Sequence, residues 1–568
     1  MHSKAKSRVC ATCAFVAMSV FLGACSSEQA SEPEAPWFAD EAAARGITYF
    51  HQSGFAGRPL LPEITGSGAA FADVDGDGDL DAYIVQSGSL YPQEPGSDLP
   101  GNELYLNRGD GVFDKVADGG GAADTGYGMG VAAGDYDNDG DVDLYVTNVG
   151  ANTLLKNDGT GRFEDVTEAA AVGDPGWSTA AGFLDLDADG DLDLYVVNYI
   201  NWSIESEIRC YVGNLLTYCP PANYNAPAVD TLYRNDGDGT FTDISAESGI
   251  GGGFGNGFGL VGADFTGDGA TDLFVANDMM LDQFWVNEGN LRFTDQATLW
   301  GSAVDEHGVA KAGMGVSAAD IDNDGDMDMM VVNLEGQTDS FFRNENGYFR
   351  DVTAELGLGI TGRFTRFGVT LADFDNDGRL DLYEANGKVS APSASVTHDE
   401  QSEGTIFDEP NVLLRGMPGG RFEERAPRGG VAESLEHTSR GLAVGDVNDD
   451  GGLDLLIINR DAPPYLLMNR APERGNWIRF RPVIGDPPRD AYGATVSAVV
   501  DGMRVWRNVQ PDGSYLAYSD PRPHFGLGDE TEVEEVTVRW PGETEVEHFG
   551  DFEAGQTVEL TRGTGALR

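Results

Sequence analysis

Aspartate recurs in one spacing seven times along this chain, as Asp-x-Asp-x-Asp-Gly-x-x-Asp or a close variant, starting at Asp73, Asp135, Asp185, Asp264, Asp320, Asp373 and Asp446. Oxygen ligands at loop positions 1, 3, 5 and 9, with glycine at position 6, suit a hard cation. Ca2+ takes about six to eight oxygens at roughly 2.3–2.6 Å, and alternating side chains on a tight turn converge on one point. Five loops carry the full set: Asp73, Asp75, Asp77 and Asp81; Asp135, Asp137, Asp139 and Asp143; Asp185, Asp187, Asp189 and Asp193; Asp320, Asp322, Asp324 and Asp328; Asp373, Asp375, Asp377 and Asp381. The fourth loop has Asp264, Thr266, Asp268 and Asp272, and the seventh has Asp446, Asn448, Asp450 and Asp454. Each of these two keeps an oxygen at position 3 but loses a charge, so up to seven Ca2+ ions are expected, with the fourth and seventh held more weakly. An EF-hand would place Glu at loop position 12 between helices, whereas the first copy has Ile84 there, inside a strand. Asp also caps turns well, but 26 carboxylates at these positions would repel one another without cations.

The elements that position the loops follow from the same repeat. Copies are spaced by about 62 residues on average, with no helical periodicity between them. Each has a small-residue apolar stretch, the acidic loop, an apolar strand, and in most copies an Asn-x-Gly turn leading to Phe-x-Asp-Val-Thr or similar. In the second copy the four strands are expected at Gly130–Gly134, Leu144–Val149, Leu154–Asn157 and Phe163–Thr167. Four-stranded sheets repeated radially make a β-propeller, which leaves only short edges exposed. Seven copies predict seven blades. The last copy lacks its fourth strand after Tyr465–Asn469, and an orphan strand stands at the other end as Trp37-Phe38-Ala39-Asp40-Glu41. The N-terminal strand is therefore expected to close the ring. The fold class is all-β: a seven-bladed propeller over residues 37–472, then a small β domain over 473–568 with turns at Asp501-Gly502 and Asp512-Gly513.

With 36 basic and 95 acidic residues, the formal charge is −59. That excludes nucleic acid as a partner, since phosphates need Lys and Arg, and argues against electrostatic docking on anionic lipid. His2, Lys4, Lys6 and Arg8 precede an apolar run from Val9 to Leu22, too short to span a bilayer comfortably. Leu22-Gly23-Ala24-Cys25 resembles the lipobox of bacterial lipoproteins, so residues 1–24 are expected to be a signal peptide, Cys25 to carry lipid, and 25–36 to form a polar tether. The expected location is extracytoplasmic, anchored through Cys25 at the outer membrane or cell surface. Cys10 and Cys13 leave with the signal, and Cys210 and Cys219, nine apart in an export pathway, suit a local disulfide.

The repeated loops resemble the FG-GAP/VCBS repeats of integrin α-subunit propellers and bacterial surface proteins. Asn476-Trp477-Ile478, Gly493-Ala494-Thr495-Val496, Gly513-Ser514-Tyr515-Leu516, His524-Phe525-Gly526-Leu527-Gly528 and Val538-Arg539-Trp540-Pro541 resemble the ASPIC/UnbV domain. Together, with Leu61-Pro62-Glu63 and Tyr218-Cys219-Pro220, they resemble a bacterial member of the cartilage acidic protein family. The resemblance implies calcium binding and an extracytoplasmic, surface- or matrix-associated role, and no defined catalytic activity. His524 and Trp540 read as packing residues.

Propellers commonly bind ligands where loops meet at the axis. Trp177, Asn256, Arg366 and Arg440, in segments leading into first strands, are the candidate ligand-face positions for an unknown glycan or surface protein; the competing reading is that they plug the channel. His51 and Glu63 could join that face. Arg108-Gly109-Asp110 matches an integrin-recognition tripeptide but falls where other copies place hairpin turns. The seven His are scattered and none stands in a motif with Ser or Cys, so no catalytic constellation emerges. The expectation is a calcium-rigidified surface binding or adhesion module. The alternatives are an extracytoplasmic enzyme or enzyme subunit acting on polysaccharide or another polymer, which would need two close carboxylates outside the loops, and a structural matrix component.

Overall fold

A computed structural model of the chain describes residues 35–91, 99–390 and 405–567. The signal peptide, Cys25 and most of the tether lie outside these residues. Between Phe38 and Asn469 the chain forms seven antiparallel four-stranded sheets. In the second sheet the strands are Gly128–Gly134, Asp143–Asn148, Thr153–Asn157 and Phe163–Asp165. The fourth strand ends two residues earlier than its sequence pattern implies, because Thr167–Ala170 forms a helical turn. The seventh sheet joins Ser439–Gly445, Asp454–Asn459 and Tyr465–Asn469 to Phe38–Asp40, with Phe38 opposite Asn469 and Asp40 opposite Leu467. Each innermost strand packs against the next around the series, and the last, Ser439–Gly445, packs against the first, Ala69–Ala72. Among the described residues no helix is long and apolar enough to cross a membrane.

The first strands are rich in Gly and Ala because they crowd the axis. A Cβ on Gly68 would meet the Leu516 carbonyl oxygen at 1.6 Å, and one on Gly130 would meet the Thr179 carbonyl oxygen at 2.6 Å. What crowds Gly68 is the C-terminal part. Its turn Gly513–Tyr518 enters the channel as a finger, with Ser514 bridging Val316 and Tyr518 bridging Ala70. Tyr515 is wholly buried, its ring 4.8 Å from Phe367 and 5.4 Å from Phe258, and its hydroxyl donates to the Thr65 carbonyl at 3.1 Å. From the other end the helical turn Pro62–Thr65 covers the axis, held by Arg440 Nε donating to the Ile64 carbonyl at 2.8 Å. The finger and this helical turn therefore meet in the channel, where the Tyr515 hydroxyl reaches Thr65.

The C-terminal part has two sheets. Asn476–Ile484 is central to one and Glu532–Arg539, flanked by Thr495–Val500, to the other. Its apolar residues Ile478, Val496, Val538 and Trp540 join Ala132, Phe183 and Leu192 of the second and third blades in one continuous cluster. It sits on the end of the ring where the acidic loops lie, so it packs on the loops themselves: Gly475 N donates to the Asp375 carbonyl at 2.9 Å, Gly528 N to the Asn376 carbonyl at 2.7 Å, and Arg489 to the Gly190 carbonyl at 2.8 Å.

Candidate metal centres

Each acidic loop links a first strand to a second strand and turns through two left-handed residues. The position-6 glycines all have positive φ, from 80° at Gly451 to 98° at Gly78. Position 4 is also left-handed in every copy, at Gly76, Asn138, Ala188, Gly267, Asn323, Asn376 and Asp449; residues tolerant of that region fill most of these places. The position-1 carboxylate folds the loop over itself: Asp73 Oδ1 accepts from Gly76 N at 2.9 Å and Oδ2 from Gly78 N at 3.0 Å.

The position-9 aspartate begins the second strand and ties the loop to the sheet. Asp81 Oδ2 accepts from Val74 N at 3.0 Å and Oδ1 from Asn107 N at 2.7 Å. Burial, opposed by these backbone hydrogen bonds, raises Asp81 to about 8; Asp193, Asp272 and Asp328 also rise to about 8 and Asp143 to about 9. Asp381 and Asp454 are held well above the usual carboxylate range by burial, with neighbouring loop carboxylates adding to it. Without a counter-charge, these loops hold their acids against their ordinary ionisation.

In the five loops with complete sets, three carboxylates bring ligand atoms within 4.8 Å of one another: Asp73, Asp75 and Asp81; Asp135, Asp137 and Asp143; Asp185, Asp187 and Asp189; Asp320, Asp322 and Asp328; Asp373, Asp375 and Asp381. The test of whether a cation fits is what the remaining oxygens do. Position-3 oxygens Asp75 Oδ1, Asp137 Oδ1, Thr266 Oγ1, Asp375 Oδ1 and Asn448 Oδ1 are buried with no hydrogen-bond partner, as are Asp185 Oδ1 and Asp193 Oδ2. Buried polar atoms are almost always paired, and unpaired acceptors recurring at one loop position point to a ligand. The donor set is all oxygen, which suits Ca2+ and not a soft transition metal. The residues fit the ion.

Basic side chains also reach the loops. Lys156 Nζ pairs with Asp137 and lies 3.1 Å from Asp139 Oδ2, and Arg415 Nη2 lies 2.6 Å from Asp375 Oδ2. At the fourth and seventh loops the cation comes from the C-terminal part: Arg539 Nη1 is 3.3 Å from Asp264 Oδ2, and Arg479 Nη1 is 3.5 Å from Asp446 Oδ2. These are the two loops whose third position is uncharged.

A further set of residues escaped the sequence pattern. In six of the seven blades an asparagine at or next to the end of the third strand donates Nδ2 to the position-2 carbonyl of the preceding blade's loop: Asn157 to Val74 at 2.7 Å, Asn235 to Tyr136 at 2.7 Å, Asn287 to Leu186 at 2.7 Å and Asn344 to Phe265 at 2.8 Å. Asn469 does the same to Phe374 at 2.9 Å, and Asn107 to Val447 at 2.7 Å across the join of the seventh and first blades. These latches tie neighbouring blades at the loop end. In the sixth blade the position is Gly416, so the carbonyl of Ile321 in the fifth loop receives none. The signal is present in the sequence as Asn recurring at one strand end, where its spacing to Gly marks it only as a turn former.

The candidate ligand-face residues are buried, so their own side chains do not present an open face to a ligand. Trp177 is 3% exposed, Asn256 5%, and Arg366 and Arg440 0%. Arg366 pairs with Asp339 at 2.8 Å and donates to the Thr361, Phe364 and Gln337 carbonyls. Arg440 donates to the Ile64, Gly387, Ser439 and Lys388 carbonyls and stacks 3.8 Å over Phe367. Trp177 packs on Tyr199 and Trp202, and Asn256 Nδ2 donates to the Asp278 carbonyl. His51 and Glu63 are buried at the same end. His51 contacts Ser87 Oγ at 3.0 Å, and Glu63 accepts from Leu60 N and is pushed up to about 7, chiefly by burial.

Asp339 and Glu384 are a carboxylate pair outside the loops, but with 0% and 1% exposure against Arg366 they offer no substrate a path. Arg108 pairs with Asp114, and Asn107 Oδ1 accepts from Gly109 N and Gly111 N, so Arg108-Gly109-Asp110 is a hairpin turn. Cys210 and Cys219 form a disulfide with Cα atoms 5.2 Å apart. Trp540 is buried and donates to Glu547; His524 stacks on Trp477 and contacts Asn376 Oδ1 at 2.9 Å in the sixth loop.

Comparison with known proteins gives two family matches. The FG-GAP-like repeat matches residues 73–146, 135–196, 222–275, 264–331 and 320–384, and ASPIC and UnbV matches residues 485–567. Cartilage acidic protein 1 of Xenopus tropicalis is 29% identical over 314 residues, which is 53% of this chain and 44% of that protein. The Homo sapiens protein is 27% identical over 315 residues, 53% of this chain and 43% of that one. The chain thus spans less than half the length of these relatives. Among solved structures, an Agrocybe aegerita lectin recognising non-reducing terminal N-acetylglucosamine aligns at TM-score 0.36 with 16% identity, covering 70% of this chain and 86% of the lectin. YCF48 bound to D1 peptide aligns at TM-score 0.36 with 9% identity, covering 71% and 91%.

Proposed function

This chain belongs to the FG-GAP-like repeat family and ends in an ASPIC and UnbV domain, and from that premise we propose that it is an extracytoplasmic binding module rigidified by Ca2+ and held at a membrane through lipid on Cys25. The carrying observation is the set of five carboxylate triads together with unpaired buried oxygens at the third loop position. Bound Ca2+ would supply positive charge and fixed coordination. The loop aspartates would hold it, while the latching asparagines keep neighbouring loops in register. The relatives' name, cartilage acidic protein 1, is consistent with work outside cells. The lipobox-like Leu22-Gly23-Ala24-Cys25 and the disulfide support export, and Ser26 is compatible with sorting to the outer membrane.

The test has two readings on one sample, residues 26–568. Native mass spectrometry during a calcium titration should show at least five bound ions, and no uptake would contradict the calcium part. Capture from cell-envelope protein and glycan preparations should retain a defined partner in calcium and lose it in chelator. Absence of specific capture in both media would remove the binding-module part.

A further inference from the structure

The blade-to-blade latch fails at one place, and a cleft opens there. Where the fifth and sixth blades meet, Gly416 replaces the asparagine, and a Cβ on it would meet the Leu380 carbonyl oxygen at 2.2 Å. The third and fourth strands of the sixth blade are joined through Pro418-Gly419-Gly420 in place of an Asn-x-Gly turn. Beside this break lies a cavity of about 530 Å3, closed on its third side by Met503 and Arg507 of the C-terminal part.

Its chemistry departs from that of the rest of the molecule. In a chain with 36 basic and 95 acidic residues, the cleft is lined by Arg343, Arg379, Arg421 and Arg507 against Asp320 and Asp322. The cavity beneath the finger reverses this, with Asp320, Asp373, Asp512 and Asp520 against Arg507 and Arg522. In the cleft, two guanidiniums have partners: Arg343 lies 3.1 Å from Asp322, and Arg379 pairs with Asp377. Arg421 is exposed, and its side chain makes no ion pair or hydrogen bond among the described residues. Arg507 donates from Nη1 to the Trp506 carbonyl, but its Nε is buried without a partner. Acceptors are waiting too: Asn323 Oδ1 is buried and unpaired, and the Ile321 carbonyl lacks its latch.

We infer that this cleft binds a carboxylate-bearing peptide segment with an apolar side chain. A free guanidinium, as at Arg421, recognises a carboxylate through paired N–H donors. The Asn323 and Ile321 oxygens suit peptide N–H groups. Met417 and Met503, flexible and partly or well exposed, form an adaptable apolar wall. A glycan fits less well, because sugars need exposed ring faces and the cleft's aromatic residue, Phe422, is 3% exposed. The inference rests on the binding-module reading and gives it a site and a ligand class; it does not depend on the number of calcium ions.

The experiment uses residues 26–568 in calcium and, separately, in chelator, with a fluorescein-labelled Asp-Leu-Asp-Leu peptide as probe. The controls are its Asn-Leu-Asn-Leu analogue and tri-galacturonate. Anisotropy should show saturable binding of the acidic peptide and at least about tenfold weaker binding of the amide analogue. Arg421→Glu, at an exposed position that the fold does not use, and Met503→Glu, on the opposite wall, should each weaken the acidic peptide by about tenfold or more. Binding unchanged by both substitutions, or no binding in either medium, overturns the site. Tri-galacturonate binding that depends on Arg421 overturns the peptide class. Envelope capture that survives both substitutions removes this site while leaving the binding-module reading standing, so the two failures are distinguishable.

Discussion

At one end of the ring, aspartates are packed beyond the counter-charge nearby, with acceptors such as Asp75 Oδ1 and Asp375 Oδ1 left unpaired. At the other end, Arg366 and Arg440 are just as deeply buried, yet Asp339 and a set of backbone carbonyls answer them. Both ends bury charge, which is costly unless it is paired and hydrogen-bonded. The guanidiniums at the arginine end are answered within the chain, although Asp339 Oδ2 and Glu384 Oε1 beside Arg366 lack a hydrogen-bond partner. At the aspartate end the loop oxygens left unpaired are those that the proposed Ca2+ would complete. On the calcium proposal, the molecule joins arginines held from within the chain to loops whose stability depends on the ion around them.

The sharpest way to break the comparison is at the arginine end. Arg366→Met leaves Asp339 without its partner inside the fold, and should cost about 3–5 kcal/mol in urea unfolding, equally in calcium and in chelator. A cost that depended on calcium would erase the distinction between the ends. A smaller effect is expected at the latches. Asn157→Ala removes hydrogen bonds to the Val74 and Val142 carbonyls and should cost about 1–3 kcal/mol. Hydrogen exchange should rise in the first and second loops, while strands near Arg440 stay protected.

Proton linkage offers a subtler test. Asp81 and Asp328 are raised to about 8 by burial. A carboxylate whose pKa is higher folded than unfolded stabilises the fold most below its unfolded value. In chelator, therefore, the melting temperature should fall as pH rises from about 4 through 8. In excess calcium the trend should reverse, since the ion binds the ionised form and protons compete with it. Melting curves between pH 5 and 8 in the two media check the sign; parallel curves would mean that these aspartates do not hold the ion. The smallest effect is expected from Thr266→Asp, which restores a third-position charge and should tighten calcium at the fourth loop by only a few-fold, read by calorimetry, because Arg539 already lies 3.3 Å from Asp264.

The same contrast explains what could be read before any coordinates. Seven Asp loops, their position-6 glycines and the stray strand Phe38–Asp40 repeat or complete one pattern, and repetition is visible in one dimension. The sheets follow from it, since small residues at first strands and apolar runs at second strands leave few other arrangements. Arg366 and Arg440 misled because charge argues for exposure, and their carbonyl partners come from segments that share no motif. Tyr515 lies in a stretch that carries only a family resemblance, and nothing local marks it as a finger in the channel. The asparagine latch lay between these cases: Asn107, Asn157 and Asn235 recur, but a bond to the next blade requires the ring.

The most direct measurement is a thermal melt of residues 26–568 in millimolar calcium and again in excess chelator. Each occupied site contributes about 2.7 kcal/mol when calcium stands 100-fold above its dissociation constant. With several sites the melting temperature should drop by about 10 °C or more on chelation, and restored calcium should recover it. An unchanged melt in excess chelator would contradict the claim that the acidic loops are completed by calcium.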